Sequence, residues 1–141
     1  MKIIRNSRAK GESTTLAGPA NFTGATWVDT IHRDDDIFMA HVTFTPKART
    51  FWHQHEKGQV LRVLVGSGWI CDEGGKPQRL DVGDTVWCPP GTTHWHGADD
   101  SSLMVHLAIT YGQTQWRDAV SEEEYRSKSN GDGRSDGLAH K

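Results

Sequence analysis

Hydrophobic and polar residues alternate along several short stretches of this chain, which is typical of β-strands with one buried face. The clearest stretch runs from Ile37 to Thr45 and is ended by Pro46. One face of it is apolar and carries Phe38, Ala40, Val42 and Phe44, while the other carries Met39, His41 and Thr43. We expect the even-numbered face to line the inside of a barrel and His41 to point outward.

Similar patterns predict further short strands, separated by turns rich in glycine. Tight turns are predicted at Lys57-Gly58, Glu73-Gly74-Gly75 and Gly83-Asp84. The predicted strands cover residues 24–32, 53–55, 59–65, 69–72, 86–88 and 103–110. Residues 78–82 lead into the strand over residues 86–88. With 15 glycines and only short apolar runs, the sequence favours an all-β fold.

The two ends of the chain differ from this pattern. Residues 1–20 are polar and irregular, and could add an edge strand or wrap around a neighbouring subunit. Near the other end, Ser121 is followed three residues later by Glu124, a capping box that predicts a short helix over residues 121–126. From Ser127 onward the sequence lacks the apolar residues needed for order. We therefore predict one domain, residues 1–126, and a flexible polar tail, residues 127–141.

Composition excludes some functional classes. A chain of 141 residues with net charge −2 and a pI near 6.4 has no general positive field for nucleic acid. No apolar run reaches the roughly 20 residues of a membrane span, and the first residues contain no apolar core of a secretion signal. We expect a cytoplasmic protein that binds a small molecule. Cys71 and Cys88 are interpreted as small buried apolar residues.

The candidate chemistry lies between Trp52 and Gly66. His53 and His55 alternate on one strand, so both side chains leave the same face, and Gln59 resumes the alternation after the turn. Two imidazoles and an amide oxygen that converge are typical metal ligands. His94, which follows the turn at Pro89-Pro90-Gly91, is the best fourth ligand. Trp52 and Trp95 have the opposite parity and should point away from the metal.

Two further histidines are candidates for a catalytic role. His96 has the parity of His94 and could face the same cavity. His106 lies in the stretch 103–110, where both faces are apolar. If Met104, His106, Ala108 and Thr110 face inward, His106 enters the cavity, and with the other parity it lies at the surface. Parity alone leaves the choice open.

These two stretches resemble the two sequence motifs of the cupins. The first cupin motif has His-x-His, an acidic residue four positions later and a glycine seven after that, and the second has Gly, Pro-x-Gly and His. The matching positions are His53, His55, Gly66, Gly83, Pro89, Gly91 and His94, and the one departure is Gln59 in place of Glu. The resemblance covers about residues 37–110. It implies a double-stranded β-helix, or jelly-roll barrel, that forms a homodimer or homotetramer.

The glutamine changes the expected chemistry. Three neutral imidazoles and an amide leave a divalent ion with its full charge, which favours Lewis-acid catalysis over a redox role. Imidazole ligands are compatible with Mn, Fe, Ni, Co and Zn.

The sequence is also similar to small bacterial cupins that act as manganese-dependent hydroxynitrile lyases, which share His53, His55, Gln59 and His94. That similarity makes Mn the expected metal and implies cleavage of a cyanohydrin to an aldehyde or ketone and hydrogen cyanide. It also implies that Ala40, Val42, His106 and Thr110 line the substrate pocket, with His106 as general base and His96 as a second candidate for proton transfer. Phe44 and Leu61, on the inward faces of their strands, complete the predicted pocket. The alternatives are an oxygen-dependent cupin dioxygenase and a non-catalytic metabolite-binding cupin.

Overall fold

The structure, a computed structural model, describes residues 1–5, 15–16 and 20–130. Most of these residues form β-strands, which are followed by a short α-helix and a short 3-10 helix. The strands are β1 (Thr15–Leu16), β2 (Phe22–Thr23), β3 (Thr26–Arg33), β4 (Ile37–Phe44), β5 (Arg49–Thr50), β6 (His53–His55), β7 (Gln59–Asp72), β8 (Gln78–Asp81), β9 (Thr85–Cys88), β10 (His94–Ala98), β11 (Met104–Tyr111) and β12 (Thr114–Trp116). Helix α1 (Glu122–Arg126) and a 3-10 helix (Ser127–Asn130) follow.

All strand pairings among the described residues are antiparallel, and the strands form a nearly closed barrel with two faces. The main order is β1-β3-β4-β11-β7-β10-β5-β2; in addition, β8 and β9 pair with β7, while β6 pairs with β10 and β12. The predicted all-β barrel with a C-terminal helix is confirmed. β1 pairs with β3 at the edge, one of the two arrangements expected for the N-terminal segment.

β7 corrects one prediction, because residues 59–65 and 69–72 belong to a single strand of 14 residues. Its first half pairs with β11 as far as Gly66, and its second half pairs with β10 from Gly68 onward. Gly66 has a φ of 75°, which lets the strand bend and pass from one face of the barrel to the other. The predicted interruption is therefore a bend within one strand.

Two separate clusters of apolar side chains hold the barrel together. The inner cluster confirms the inward face of β4, since Ala40, Val42 and Phe44 are buried. The outer cluster lies between the barrel and α1, and consists of Trp69, Cys71, Trp95, Val120 and Tyr125, with Trp52 packed against it. Trp52 and Trp95 thus pack in the outer cluster, as their parity predicted.

The C-terminal helix is fixed to the barrel through Tyr125. The predicted capping box between Ser121 and Glu124 is present. The Tyr125 hydroxyl donates a hydrogen bond of 2.7 Å to the carbonyl oxygen of Ala98. The Arg49 guanidinium lies 4.5 Å from the centroid of the Tyr125 ring, and the Lys128 ammonium lies 3.6 Å from it.

Lys128 belongs to the region that was predicted to be a flexible tail. Its side chain is buried, and Nζ lies 2.8 Å from Oδ1 of Asp100. Residues 127–130 form the 3-10 helix, and at Lys128 a cation–π contact and an ion pair replace the missing apolar contacts. The division into a domain and a tail stays a prediction. Residues 131–141 of the predicted tail lie outside the described residues.

The two cysteines are buried, as the sequence predicted. Cys71 and Cys88 are unpaired and buried, and burial raises the pKa of their thiols to about 11 and about 12. In the described part of the chain, no helix has the length and apolar character needed to cross a membrane.

Candidate metal centre

The barrel brings the predicted histidine ligands together. His53 and His55 lie on β6 with their ring centroids 4.9 Å apart. His94 begins β10 directly opposite His53, and its ring centroid lies 4.4 Å from that of His53 and 5.3 Å from that of His55. All three side chains are buried. Pairing between β6 and β10 therefore joins two stretches that are about forty residues apart in sequence.

Hydrogen bonds fix the orientation of each of these rings. Nδ1 of His53 donates to the carbonyl oxygen of Phe51 at 2.8 Å, and Nδ1 of His94 donates to that of Thr92 at 2.9 Å. Nδ1 of His55 lies 2.9 Å from Oγ1 of Thr114. Engaging Nδ1 in this way leaves Nε2 as the atom available to a metal, as in most protein metal sites.

Gln59 is oriented in the same way. Its Nε2 donates to Oγ1 of Thr110 at 2.9 Å, which leaves Oε1 free. Oε1 of Gln59 and Nε2 of both His55 and His94 are buried without a hydrogen-bond partner. Buried acceptors without partners are costly unless something compensates them. Their chemistry, two imidazole nitrogens and an amide oxygen, fits a divalent cation.

Distances alone select a slightly different group of histidines. The ligand nitrogens of His53, His94 and His96 all lie within 4.8 Å of one another, so these three residues could hold a metal ion. This group shares His53 and His94 with the predicted set and contains His96 in place of His55. Nε2 of His96 is also buried without a partner. A group of three histidines that could bind a divalent metal is therefore present, while the assignment of His55 and Gln59 as ligands stays a prediction.

Burial keeps the clustered imidazoles uncharged. It is the largest cause that lowers the pKa of each ring, and it lowers the pKa of His55 and of His106 to about 4. For His53 and His96, repulsion from neighbouring imidazoles lowers the pKa further. The pKa of His94 is lowered too, although its bond to Thr92 opposes the shift. At neutral pH these rings therefore offer lone pairs, as metal ligands and proton acceptors must.

The parity of β11 is settled by its burial. Met104, His106, Ala108 and Thr110 point inward, so His106 enters the barrel. Nε2 of His106 lies 3.1 Å from Nδ1 of His96. The Phe44 ring lies against both imidazoles, with centroid distances of 5.2 Å to His106 and 5.7 Å to His96. The two candidate catalytic histidines thus form one hydrogen-bonded pair beside the metal ligands.

An inner cavity of about 90 Å³ adjoins these groups. Of the predicted pocket residues, Val42 and Thr110 line this cavity, together with His96 and His106. Ala40, Phe44 and Leu61 instead pack in the inner core, fully buried, and do not line it. Phe44 contributes indirectly, because its ring supports the histidine pair.

Several lining residues were not predicted from the sequence, namely Phe22, Val28, Phe38, Thr50, Ala108, Thr114 and Trp116. Thr114 and Trp116 come from β12, which pairs with β6 and places Trp116 opposite His53. The two residues are separated by one position, so they share a face of the strand. That alternation was a signal in the sequence, but β12 has only three residues.

The chain has relatives among characterised enzymes. It is 41% identical, over 124 residues, to the (R)-mandelonitrile lyase of Granulicella tundricola. The match covers 82% of this chain and 95% of the relative. A shorter match of 31% identity over 70 residues, covering 49% of this chain and 35% of the relative, links it to the dimethylsulfoniopropionate lyase DddQ of Ruegeria pomeroyi. These relatives support a lyase in general terms.

Structural comparison agrees with the fold. A cupin-like protein of Thermotoga maritima MSB8, tm1010, superposes with a TM-score of 0.81 at 36% identity, covering 85% of this chain and 96% of that protein. The family description Cupin_2, Cupin domain, matches residues 40–110, which include both motifs and all five clustered histidines. On this evidence the chain belongs to the cupin family.

Proposed function

We propose that this protein is a metal-dependent cupin lyase that cleaves a cyanohydrin into an aldehyde or ketone and hydrogen cyanide. One observation carries the proposal. His55 and Gln59, each with an unpartnered ligand atom, line the same small cavity as the neutral pair His96 and His106. Nε2 of His94 is also unpartnered, and the His94 ring packs against the rings of His53 and His55. The 41% identity to a mandelonitrile lyase supports it.

The residues that would hold the metal are His53, His55, Gln59 and His94, and manganese is the ion that we propose. When bound there, a divalent ion supplies Lewis acidity toward a substrate oxygen. No member of this set is a carboxylate, so the ligands neutralise none of the ion's charge. Thr110 holds the Gln59 amide with Oε1 free, which keeps the oxygen rather than the nitrogen available.

In the proposed reaction His106 accepts the proton of the substrate hydroxyl. Its imidazole is neutral at pH 7, because burial lowers its pKa to about 4, and its Nδ1 has no hydrogen-bond partner. His96 orients the ring through its contact with Nε2. As the hydroxyl oxygen becomes a carbonyl, the bond to the nitrile carbon breaks and its electron pair leaves with cyanide. The proton on His106 then converts cyanide to hydrogen cyanide, so the base is regenerated.

The cavity walls support this chemistry. Val42 and Ala108 are apolar and line the cavity next to the histidine pair. An apolar wall limits the access of water and strengthens electrostatic interactions within the site. The carbon skeleton of a small hydroxy compound is therefore compatible with this face.

The test combines metal analysis with an assay of mandelonitrile cleavage. We expect purified protein loaded with manganese to cleave mandelonitrile equally well with and without oxygen, and the metal-free protein to be inactive. Dimethylsulfoniopropionate serves as a comparison substrate, because one relative is a lyase for it. Cleavage that requires oxygen and Fe(II) would instead favour the dioxygenase interpretation, and failure to cleave mandelonitrile under either condition would contradict the proposal.

A further inference from the structure

The inner cavity shares part of its lining with a second, larger cavity. The outer cavity has a volume of about 610 Å³, compared with about 90 Å³ for the inner one. Six of the described residues line both cavities and therefore lie where the two cavities adjoin. This shared lining, which we call the neck, consists of Phe22, Val28, Phe38, Thr110, Thr114 and Trp116.

The size of the inner cavity limits what can enter it. A cavity of about 150 Å³ is the size known to admit a benzene ring in a protein core. The inner cavity is smaller, at about 90 Å³. The inner cavity is therefore smaller than a site that holds an aryl ring, and the neck is the part of its lining that also borders the larger cavity.

The neck is suited to such a ring. Phe22, Phe38 and Trp116 come from three different strands, and all three residues belong to the neck. The Phe22 and Trp116 rings are tilted by 53° with centroids 5.7 Å apart. The Trp116 ring also lies 4.7 Å from the ring of the proposed metal ligand His53, so a ring in contact with Trp116 lies close to the site. Aromatic pairs favour such offset or tilted arrangements.

Charge in this region is placed away from the neck. All six neck residues are uncharged, and the charged residues that line the outer cavity are Arg33, Asp34 and Asp35. The Arg33 guanidinium lies 4.1 Å from the centroid of the Phe38 ring, so it covers part of that ring. Trp116 keeps 39% of its surface exposed, so its indole is accessible to a ligand.

From these observations we infer that the neck binds the aromatic ring of the substrate and that Trp116 determines the preference for aryl over alkyl compounds. This inference rests on the proposed function for the identity of the reacting group. It extends that function by placing the ring of the substrate against Trp116, Phe22 and Phe38 and by naming Trp116 as the residue that sets the preference.

Binding can be tested apart from turnover. Dissociation constants of benzyl alcohol and butan-1-ol, measured by calorimetry on manganese-loaded protein, should show tighter binding of benzyl alcohol. Trp116→Ala should weaken the binding of benzyl alcohol about fivefold and the binding of butan-1-ol by less than about twofold, because only the aromatic ring loses an aromatic partner. Trp116→Phe should restore most of the difference. Trp87→Phe is the matched control, because Trp87 is exposed and lines neither of the two cavities.

A second readout is kcat/KM, measured for mandelonitrile and for acetone cyanohydrin. Trp116→Ala should reduce kcat/KM for mandelonitrile and leave kcat/KM for acetone cyanohydrin unchanged. Metal content and thermal midpoint verify that each variant is folded. If Trp116→Ala fails this check, Phe22→Leu on the other side of the neck makes the same comparison.

The two proposals fail in different ways. Three outcomes would overturn the aryl site, even if mandelonitrile is cleaved. In Trp116→Ala, the binding of both alcohols is weakened equally, or the binding of neither is weakened. Alternatively, the unsubstituted protein shows no preference for benzyl alcohol. A Trp116-dependent preference for benzyl alcohol without mandelonitrile cleavage would support the aryl site and contradict the lyase.

Discussion

Gln59 is the residue at which this site differs most from the common cupin motif, and its amide does two things. Nε2 donates to Thr110, and Oε1 stays free among the imidazoles. A carboxylate in its place would add a negative charge to the proposed ligand set. The amide therefore affects both the geometry and the charge of the site.

Gln59→Glu should retain metal and lose most turnover. The carboxylate remains a good ligand but cancels one unit of the ion's charge, so Lewis acidity falls, and we expect kcat to decrease at least about tenfold. Elemental analysis and the mandelonitrile assay measure the two effects separately. Gln54→Glu is the matched control, because Gln54 lies on β6 with the opposite parity to His53 and His55. Unchanged kcat in Gln59→Glu would contradict the charge argument.

His106→Ala should separate metal binding from catalysis. The residue belongs to neither set of candidate ligands, but its imidazole is the proposed base. We therefore expect normal metal content and a loss of kcat of about 100-fold or more, the usual contribution of a general base. His94→Ala, in contrast, should lose metal and activity together. Turnover that persists in His106→Ala would remove this histidine from the mechanism.

At the scale of elements, β7 connects the two faces of the barrel through its bend at Gly66. A Cβ atom added at Gly66 would lie 1.8 Å from the carbonyl oxygen of Leu103, a backbone atom that cannot move aside. The motif glycine is therefore required both by its positive φ and by the close approach of the β10–β11 connection. Any side chain there must displace the chain that leads into β11 and His106.

Gly66→Ala should lower the free energy of unfolding by at least about 3 kcal/mol, because steric overlap adds to an unfavourable φ. Gly74→Ala is the control. Gly74 has a similar φ of 80°, but a Cβ atom added there would have no neighbouring atom within 4 Å, so only the conformational cost of about 1 kcal/mol remains. Urea unfolding measures both variants. Equal losses would show that close approach to Leu103 does not matter.

Elements also show what sequence could and could not predict. The alternation at His53 and His55 predicted convergence correctly, because a strand of known parity fixes which side chains share a face. The direction of the His106 side chain could not be predicted because both faces of β11 are apolar. Only the packing of β11 between β4 and β7 decides it. Trp116 was missed because its strand is too short to show a pattern, and Lys128 because an ion pair substitutes for apolar burial.

At the scale of the whole molecule, five imidazoles are buried in one barrel. Burial lowers the pKa of His55 and His106 to about 4, below the value of 6.5 for an exposed histidine. In the unfolded chain these groups take up protons as the pH falls through 6.5, and in the folded chain they do not. The unfolded state therefore binds more protons between these values, and acid favours it.

We expect the free energy of unfolding of the metal-free protein to decrease as the pH falls from about 6.5 toward about 4. Denaturant midpoints at a series of pH values measure this. His106→Gln, which lacks one buried imidazole, should show a shallower decrease. A midpoint that is constant between pH 7 and pH 5 would show that the imidazoles titrate normally in the folded state.

The predicted homodimer or homotetramer stays a prediction. Leu64, Val65 and Leu103 are exposed apolar residues, and Leu103 adjoins the bend of β7 at Gly66. A second copy of the chain would bury such a surface. We expect a mass of at least two chains in light scattering and dissociation by Val65→Glu. A monomer at micromolar concentration would contradict this expectation.

Strand β12, only three residues long, contacts both a proposed metal ligand and the neck. Thr114 contacts Nδ1 of His55, and Trp116, two positions later, lines the neck. A molecule that settles against the indole restrains the same backbone that holds the imidazole in place. Thermodynamic linkage is reciprocal, so whatever tightens one event must tighten the other by the same factor. Occupancy of the neck and affinity for the ion should thus rise and fall together, and the dissociation constant of the metal should be lowest when an aryl alcohol is present.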